Sequence, residues 1–461
     1  MIQLRPYQQD CVDRVRSAFK DGSRKVLLVL PTGAGKTICF SFITEGASRK
    51  NKKVMILVHR QELLDQCRKS LESLDVKFGI IASGRTQNLT EPIQIASIQT
   101  LVRRIDHVPQ PDLIIMDEAH HSCAGSWQKV LDKWKDSKVL GVTATPARLD
   151  GKGLGSVFEI LINGLEVTQL IDQKYLCPPI YFAPSTVDLD GVRTIAGDYD
   201  KKEINSRMDK PTITGDAVEH YRRICNGLPA VVFCSSRIHA ENVSRAFIQA
   251  GFRSAVLDGT LSDAERSDRV KALGDGRLQL LVTIDIVSEG FDLPIVAVAI
   301  LLRPTQSLSL HLQQIGRVLR TAPNKDRAII LDHVGNCLRN GLAEEKREWS
   351  LDGIKKKKKK NTLSLPRYVQ CANCFIIHTP ADKCPHCGSV REIKERLIEQ
   401  INGELTQLTV DSEKLKEIRE RKKEQGKARS MAELIALGKS KGMKNPKGWA
   451  YYVYNARNKN R

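Results

Sequence analysis

The sequence predicts an α/β protein built as two tandem parallel-sheet units, followed by a small cysteine ribbon and a helical, basic tail. Three observations carry this. Short, wholly apolar runs alternate with helical patterns, as strands buried on both faces of a parallel sheet do. Glycine-rich, acidic and hydroxyl-bearing segments follow those runs repeatedly, where open parallel sheets keep their ligands. Positive charge gathers behind the second unit: residues 351–461 hold 26 Lys/Arg against 12 Asp/Glu, a surplus of 14 out of a net +20.

The first unit covers 1–165, with strands expected at 25–30, 53–58, 93–98, 112–116 and 138–142 and a helix over 61–74. Its first strand runs into Pro31-Thr-Gly-Ala-Gly-Lys36-Thr37, a glycine-rich turn opening a helix. Main-chain N–H groups in such a turn ring a phosphate chain, and the helix N-terminus adds positive potential. Thr32, Gly33 and Gly35 would form the cradle, Lys36 would reach the β- and γ-phosphates of ATP, and the Thr37 hydroxyl would bind Mg²⁺. The match is relaxed, since the strict pattern has a glycine where this chain has Leu30. Asp117 and Glu118 follow a second apolar strand. An aspartate there gives a Mg²⁺–triphosphate its second anchor, and the adjacent glutamate deprotonates the attacking water. Gly141-Val-Thr143-Ala-Thr145-Pro146 closes another strand with hydroxyls rather than charges.

A connector over 166–209, with Cys177-Pro-Pro179 and a long polar run, leads to the second unit at 210–345. It is too long for a plain loop, so local structure packed across the two units is expected. Strands are expected at 230–234, 254–257, 278–283, 296–302 and 328–331. Two further segments stand out, Ser288-Glu-Gly290-Phe-Asp292 and Gln313-Gln-Ile-Gly-Arg317-Val-Leu-Arg320.

Taken in order, Leu4-Arg-Pro-Tyr-Gln8, the P-loop, Val58-His-Arg60-Gln61-Glu, Ser97-Ile-Gln99-Thr100, Asp117-Glu-Ala-His120, Thr143-Ala-Thr145, Val231–Ser235, Ser288–Asp292 and Gln313–Arg320 form one ordered set. On these motifs residues 1–335 resemble the superfamily 2 helicases of the DEAH-box type, and among them the XPB- and RadD-like DNA repair helicases and phage-encoded helicases. The RNA-dependent DEAD-box enzymes are more distant: the fourth motif letter here is His120, and the last motif opens Gln-Gln. The resemblance implies two RecA-like domains. It assigns Gln8 to the adenine edge, and Gly290 and Asp292 to the nucleotide from the second domain. Gln313 would lie near the γ-phosphate or the attacking water. Arg320 would be the arginine finger, supported by Arg317, the two sharing one helix face at i and i+3. Thr143 and Thr145 would relay cleft closure, while Arg60, Gln61, Gln99 and Thr100 would contact the nucleic-acid backbone without reading sequence.

The four cysteines of Cys371-Ala-Asn-Cys374 and Cys384-Pro-His-Cys387 have the count and spacing of a closed, structural Zn²⁺ site in a ribbon over 367–392. A pair of local disulfides is the competing reading. The other eight cysteines are scattered among apolar neighbours, as in a reducing compartment. A lysine-rich linker over 346–366 carries Lys355–Lys360, which either touches phosphates or is a solvated spacer. In the basic tail, 393–461, Ser430-Met-Ala-Glu433 is a capping box. Trp449 is expected to pack, while Tyr451 and Tyr454 sit among basic residues, where aromatics stack on bases or simply pack.

A hydrophobic content of 41%, no apolar run approaching about 18 residues, and a start without a signal-like segment predict a soluble, cytoplasmic protein without a membrane partner. The pI near 9.4 points to a polyanion. The expected function is an ATP-dependent DNA helicase or translocase of repair, recombination or replication. It favours single-stranded or branched DNA, with replication or repair proteins as candidate partners of the tail. Its rivals are an RNA remodeller, the motor of a restriction system and an ATP-gated nucleic-acid clamp.

Overall fold

The computed structural model describes residues 3–85, 88–146, 153–183, 194–195, 198–200, 203, 217–284, 293–352, 368–371, 373–374, 376–390, 428, 430–440, 445–447 and 450–451. Gly290, Asp292, the lysine run 355–360, Trp449 and Tyr454 lie outside them.

The first domain is one parallel sheet of β1 (Lys25–Val29), β2 (Val54–Val58), β3 (Gly79–Ile81), β4 (Ile93–Ser97), β5 (Leu113–Asp117), β6 (Lys138–Thr143) and β7 (Ile160–Asn163), in the order β3-β4-β2-β5-β6-β1-β7. Alternation divides each strand between two cores. Val26, Leu28 and Leu30 face one cluster, Leu27 and Val29 the other. Helices α1 (Pro6–Lys20), α2 (Lys36–Ser48), α3 (Gln61–Glu72), α4 (Ile98–Arg104), α5 (Gly125–Lys133) and α6 (Val167–Asp172) accompany the strands. All strands being parallel, the loops after β1, β2, β4, β5 and β6 open at one end of the sheet.

The second sheet contains β8 (Pro179–Phe182) and, beyond a short antiparallel pair β9 (Thr194–Ile195) and β10 (Asp198–Tyr199), the strands β11 (Ala230–Phe233), β12 (Ser254–Leu257), β13 (Leu280–Thr283), β14 (Val298–Leu301) and β15 (Ala328–Asp332). Its order is β12-β13-β11-β14-β15-β8, again all parallel. The stretch read as a connector thus supplies an edge strand. Proline is tolerated as the first residue of an edge strand, and Pro179 holds that place in β8. Helices α7 (Arg237–Gln249), α8 (Asp263–Gly274), α9 (Leu308–Val318) and α10 (Asn336–Asn340) complete the domain. Ser307 caps α9, its hydroxyl accepting the Leu310 amide at 3.2 Å.

The chain then returns to the first domain. Trp349 and Leu351 pack on its core, and the Gly155 amide donates to the Leu351 carbonyl at 2.9 Å. The stretch read as a linker from residue 346 is therefore anchored at its start. Beyond it, β16 (Val369–Gln370) pairs antiparallel with β17 (Ile377–His378). This hairpin docks on the free edge of β8: Phe182 bridges Ile376, Ile377 is buried in the main core, and the Tyr368 hydroxyl donates to Glu345 at 3.2 Å. Residues 393–461 form a separate unit containing α11 (Met431–Ser440), where the capping box of Ser430 and Glu433 is closed and Leu434 is buried against Ala428 and Ala450. No described helix is long and apolar enough to cross a membrane.

Candidate functional site

A cleft of about 720 Å³ opens between the two sheets, lined from the first domain by Gly33, Gly35, Lys36, Thr37, Asp117 and Glu118. The turn after β1 can make this cradle because Gly33 and Gly35 have φ of +89° and +85°, which L side chains rarely adopt. A Cβ on Gly35 would also run into the Gln8 amide. Gln8 is turned to the turn itself: its Nε2 donates to the Ala34 carbonyl at 3.1 Å, while its Oε1 accepts the Arg5 amide at 3.0 Å. One end of its side chain holds the loop and the other caps its own helix, which sequence reasoning did not foresee.

Lys36 opens α2 opposite the two acids. Burial lowers its pKa, with Glu118 and Asp117 pulling it back up and Arg317 and Arg320 pushing it further down. Asp117 ends β5 and Glu118 follows it, at 3% and 5% exposure. Burial first, and the neighbouring Glu118 charge second, push Asp117 up to about 6, against the pull of Lys36. Glu118 has left-handed backbone angles (φ 50°, ψ 52°), and its amide donates to the Asp117 carboxylate at 2.9 Å. A non-glycine residue in that region carries strain of order 1–3 kcal/mol, of the kind that gathers at functional sites. The acids suit Mg²⁺ and the glycine turn suits a polyphosphate, so the residues present fit Mg²⁺–ATP.

From the second domain Arg317 and Arg320 line the same cleft. The expected shared helix face is corrected: α9 ends at Val318, and Arg320 lies beyond it. The reason is a competing main-chain pairing. Leu176 bridges Arg320 as in an antiparallel sheet, and the Cys177 amide donates to the Leu319 carbonyl at 2.7 Å. Gln313 is 3% exposed on α9, with its buried Nε2 lacking a hydrogen-bond partner, and it does not line the cleft. Thr32 packs on Gly316, where a Cβ would collide with it, so the turn and α9 touch directly.

The hydroxyls after β6 form a link between domains. His120 Nδ1 lies 3.3 Å from Glu118 Oε2 and 3.1 Å from Thr143 Oγ1. Thr143 Oγ1 donates to the Thr145 carbonyl at 2.9 Å, and Thr145 Oγ1 donates to Ser309 Oγ on α9 at 2.6 Å. Arg60 N-caps α3 and Gln61 begins it and lines the cleft rim; Gln99 and Thr100 lie in α4, with Gln99 exposed and its Nε2 donating to the His59 carbonyl at 3.2 Å.

Sequence reasoning missed Arg5, Tyr175, Arg266 and Ser309. The Arg5 guanidinium lies 4.7 Å over the Tyr175 ring, and both line the cleft. Arg266 lines it from α8. Tyr175 and Arg266 sit outside every motif, so no local signal marks them.

The four cysteines converge. Cys371 and Cys387 sulfurs lie 3.7 Å apart, Cys374 and Cys384 sulfurs 3.6 Å apart, and all four within 4.8 Å. A tetrahedron with Zn–S bonds of about 2.3 Å has S···S edges of about 3.8 Å, so the sulfurs fit zinc.

Residues 1–148 match the family described as the res subunit of type III restriction enzymes, and residues 216–322 match the helicase conserved C-terminal domain. The chain is 33% identical over 399 residues to a 51.5 kDa protein of Lactococcus phage (isolate 7-9), covering 85% of this chain and 84% of the relative. It is 30% identical over 354 residues to a Saccharomyces cerevisiae protein named as an ATP-dependent helicase, IRC3, covering 72% of this chain but only 51% of the relative. Among solved structures, an HsdR subunit fragment of a type I restriction enzyme from Vibrio vulnificus YJ016 superposes with a TM-score of 0.58 at 21% identity, covering 76% of this chain and 67% of that one. Fold, cleft and motifs thus define an ATP-hydrolysing helicase with two RecA-like domains. The chain belongs to the superfamily 2 helicases, related to their XPB-like and phage-encoded members.

Proposed function

We propose that this chain is an ATP-dependent DNA helicase or translocase working in DNA repair, recombination or replication. The observation that carries the reading is the convergence of Lys36, Asp117 and Glu118 from one domain with Arg317 and Arg320 from the other on a single cleft. Lys36 neutralises the phosphate chain, Glu118 takes the proton of the attacking water, and Arg320, seconded by Arg317, neutralises charge on the transferring group. Thr37 and Asp117 would hold Mg²⁺, which supplies further charge neutralisation. Turnover needs groups from both domains on one substrate, so it depends on how the two domains are held across the cleft.

DNA is favoured over RNA because the matched family and the structural relative are both named for restriction enzymes. The net charge of +20 supports a polyanionic track. Arg60, Gln61, Gln99 and Thr100 would grip its sugar–phosphate backbone at the open end of the first sheet. Cys371, Cys374, Cys384 and Cys387 would hold a structural Zn²⁺. Unbridged cysteines, among them the buried Cys11, Cys39, Cys67, Cys225 and Cys337, support a reducing, cytoplasmic setting.

The test is ATPase activity with single-stranded, duplex and forked DNA and with RNA, alongside strand displacement on the fork. DNA is expected to stimulate turnover more than RNA, and Glu118→Gln is expected to bind ATP without hydrolysing it. Stronger stimulation by RNA would replace the DNA reading with that of an RNA remodeller.

A further inference from the structure

We propose that His59, His121 and His120 form a column of positioning residues that carries nucleic-acid occupancy at the strand ends of the first domain to the Glu118 carboxylate. The proposal rests on the reading of Glu118 as the base. Four strand ends meet here. His59 follows β2, Gln99 follows β4, Glu118 to His121 follow β5, and Thr143 ends β6. The His59 ring packs edge-on against His121, centroids 4.9 Å apart at 63°, and His121 lies 4.1 Å from His120. At the outer end, exposed Gln99 is tied to the His59 carbonyl at 3.2 Å, and Arg60 is the next residue. At the inner end stands Glu118.

At the inner end one nitrogen, His120 Nδ1, faces two acceptors, Glu118 Oε2 at 3.3 Å and Thr143 Oγ1 at 3.1 Å, with Thr143 the one in hydrogen-bond geometry. A single N–H aims well at only one acceptor. Aimed at Glu118, it holds the carboxylate and lowers its basicity, since a hydrogen bond to the charged form stabilises that form. Aimed at Thr143, it leaves the carboxylate to the water. Thr143 Oγ1 can take it: the hydroxyl donates to the Thr145 carbonyl and accepts the Thr145 amide at 3.2 Å, so one lone pair is left for a second donor. The bond to Thr143 also joins the Thr145–Ser309 bond to the other domain. Close-packed rings pass on a displacement because none can move without its neighbour. Among the described residues the atoms at metal-ligand spacing belong to the four cysteines, not to these imidazoles.

The experiment compares wild type, His121→Ala and His121→Phe, using single-stranded oligo-dT and a forked DNA duplex as probes. ATPase without DNA, maximal DNA-stimulated ATPase, DNA affinity and melting temperature are measured for each. For His121→Ala, turnover without DNA and DNA affinity should stay near wild type, while the stimulated rate falls about tenfold, within the range of allosteric couplings. His121→Phe restores a ring of similar size and should recover most of the stimulation. A Gln99→Ala/His121→Ala double variant should be no worse than the poorer single one, because both changes break one path. Equal loss of unstimulated and stimulated turnover would reduce His121 to a packing role and overturn the proposal. So would intact stimulation in His121→Ala, additive losses in the double variant, or a wild type that DNA does not stimulate. Wild-type turnover in Glu118→Gln would instead remove the base assignment, a separate failure.

Discussion

The Arg320 backbone is held by main-chain pairing and by Lys325 rather than by a helix. Lys325 Nζ donates to the carbonyls of Arg320, Pro294 and Val296 at 2.7, 2.8 and 2.6 Å, fixing the backbone that carries the arginine. Arg320→Ala should keep nucleotide affinity within a few-fold of wild type yet lower kcat about a thousandfold, as measured for fingers in other phosphoryl-transfer enzymes. Lys325→Met should lower kcat less, by loosening that backbone. Retained turnover in Arg320→Ala would move the finger role to Arg317. The lysine also gives a pH signature. Burial lowers its pKa to about 8, with Cys177 opposing and Arg320 adding to the shift. That lies below the value of about 10.4 in an unfolded chain. The burial penalty is therefore full below pH 8 and is relieved as pH rises towards 10.4. Thermal melts of wild type and Lys325→Met should diverge in favour of wild type across that window. A difference independent of pH would mean that Lys325 titrates as an ordinary surface lysine.

At the level of elements, most of the strands that were legible are buried on both faces, the edge strand β12 being the exception. Their apolar runs, such as Val54–Val58 in β2, admit little else. The short edge strands β3, β7 and β8 were not legible, because an edge needs few apolar residues and β8 hides behind Cys177-Pro178-Pro179. Within the site, the P-loop turn, the paired acids and the cysteine spacing could be read, since each chemistry demands its residue types at fixed intervals. Tyr175, Arg266 and Ser309 reach the site through tertiary packing alone. The ribbon shows what this omission changes. On sequence it is a separable module; in the structure it covers the β8 edge, with Ile377 in the core and Tyr368 on Glu345. The protein should hold one zinc per chain by elemental analysis, and Cys371→Ser/Cys374→Ser should lose it. Small ribbons take their folding free energy from the metal. Hydrogen exchange should then rise in β8 as well as in the ribbon, and the motor should melt a few degrees lower, about 2–4 °C for each kcal/mol in a domain of this size. Protected β8 amides in the zinc-free variant would mean the docking adds nothing to the second domain.

For the whole molecule, the open question is where the charge acts, and the fold decides where to cut. Deleting residues 351–461 would strip Tyr368 and Ile377 from the second domain and confuse weakened binding with damage to the motor. Cutting after Glu392 follows the boundary between the two compact units. The segment removed, 393–461, holds 17 Lys/Arg against nine Asp/Glu, a net +8, and leaves +12 of the +20. If those charges lie on phosphates, each phosphate no longer neutralised flattens the slope of log K against log salt by about 0.7 on single strands and about 0.9 on duplex. The truncated protein should therefore bind DNA more weakly at low salt, converge with the full chain at high salt, and keep its ATPase at saturating DNA. Tyr451, 63% exposed, offers an independent check. Stacking on an unpaired base is worth about 1–3 kcal/mol, so Tyr451→Ala should weaken single-strand binding about fivefold or more with no change in the melt. An unchanged salt slope after truncation would assign the tail to a protein partner and leave DNA binding to the two RecA-like domains.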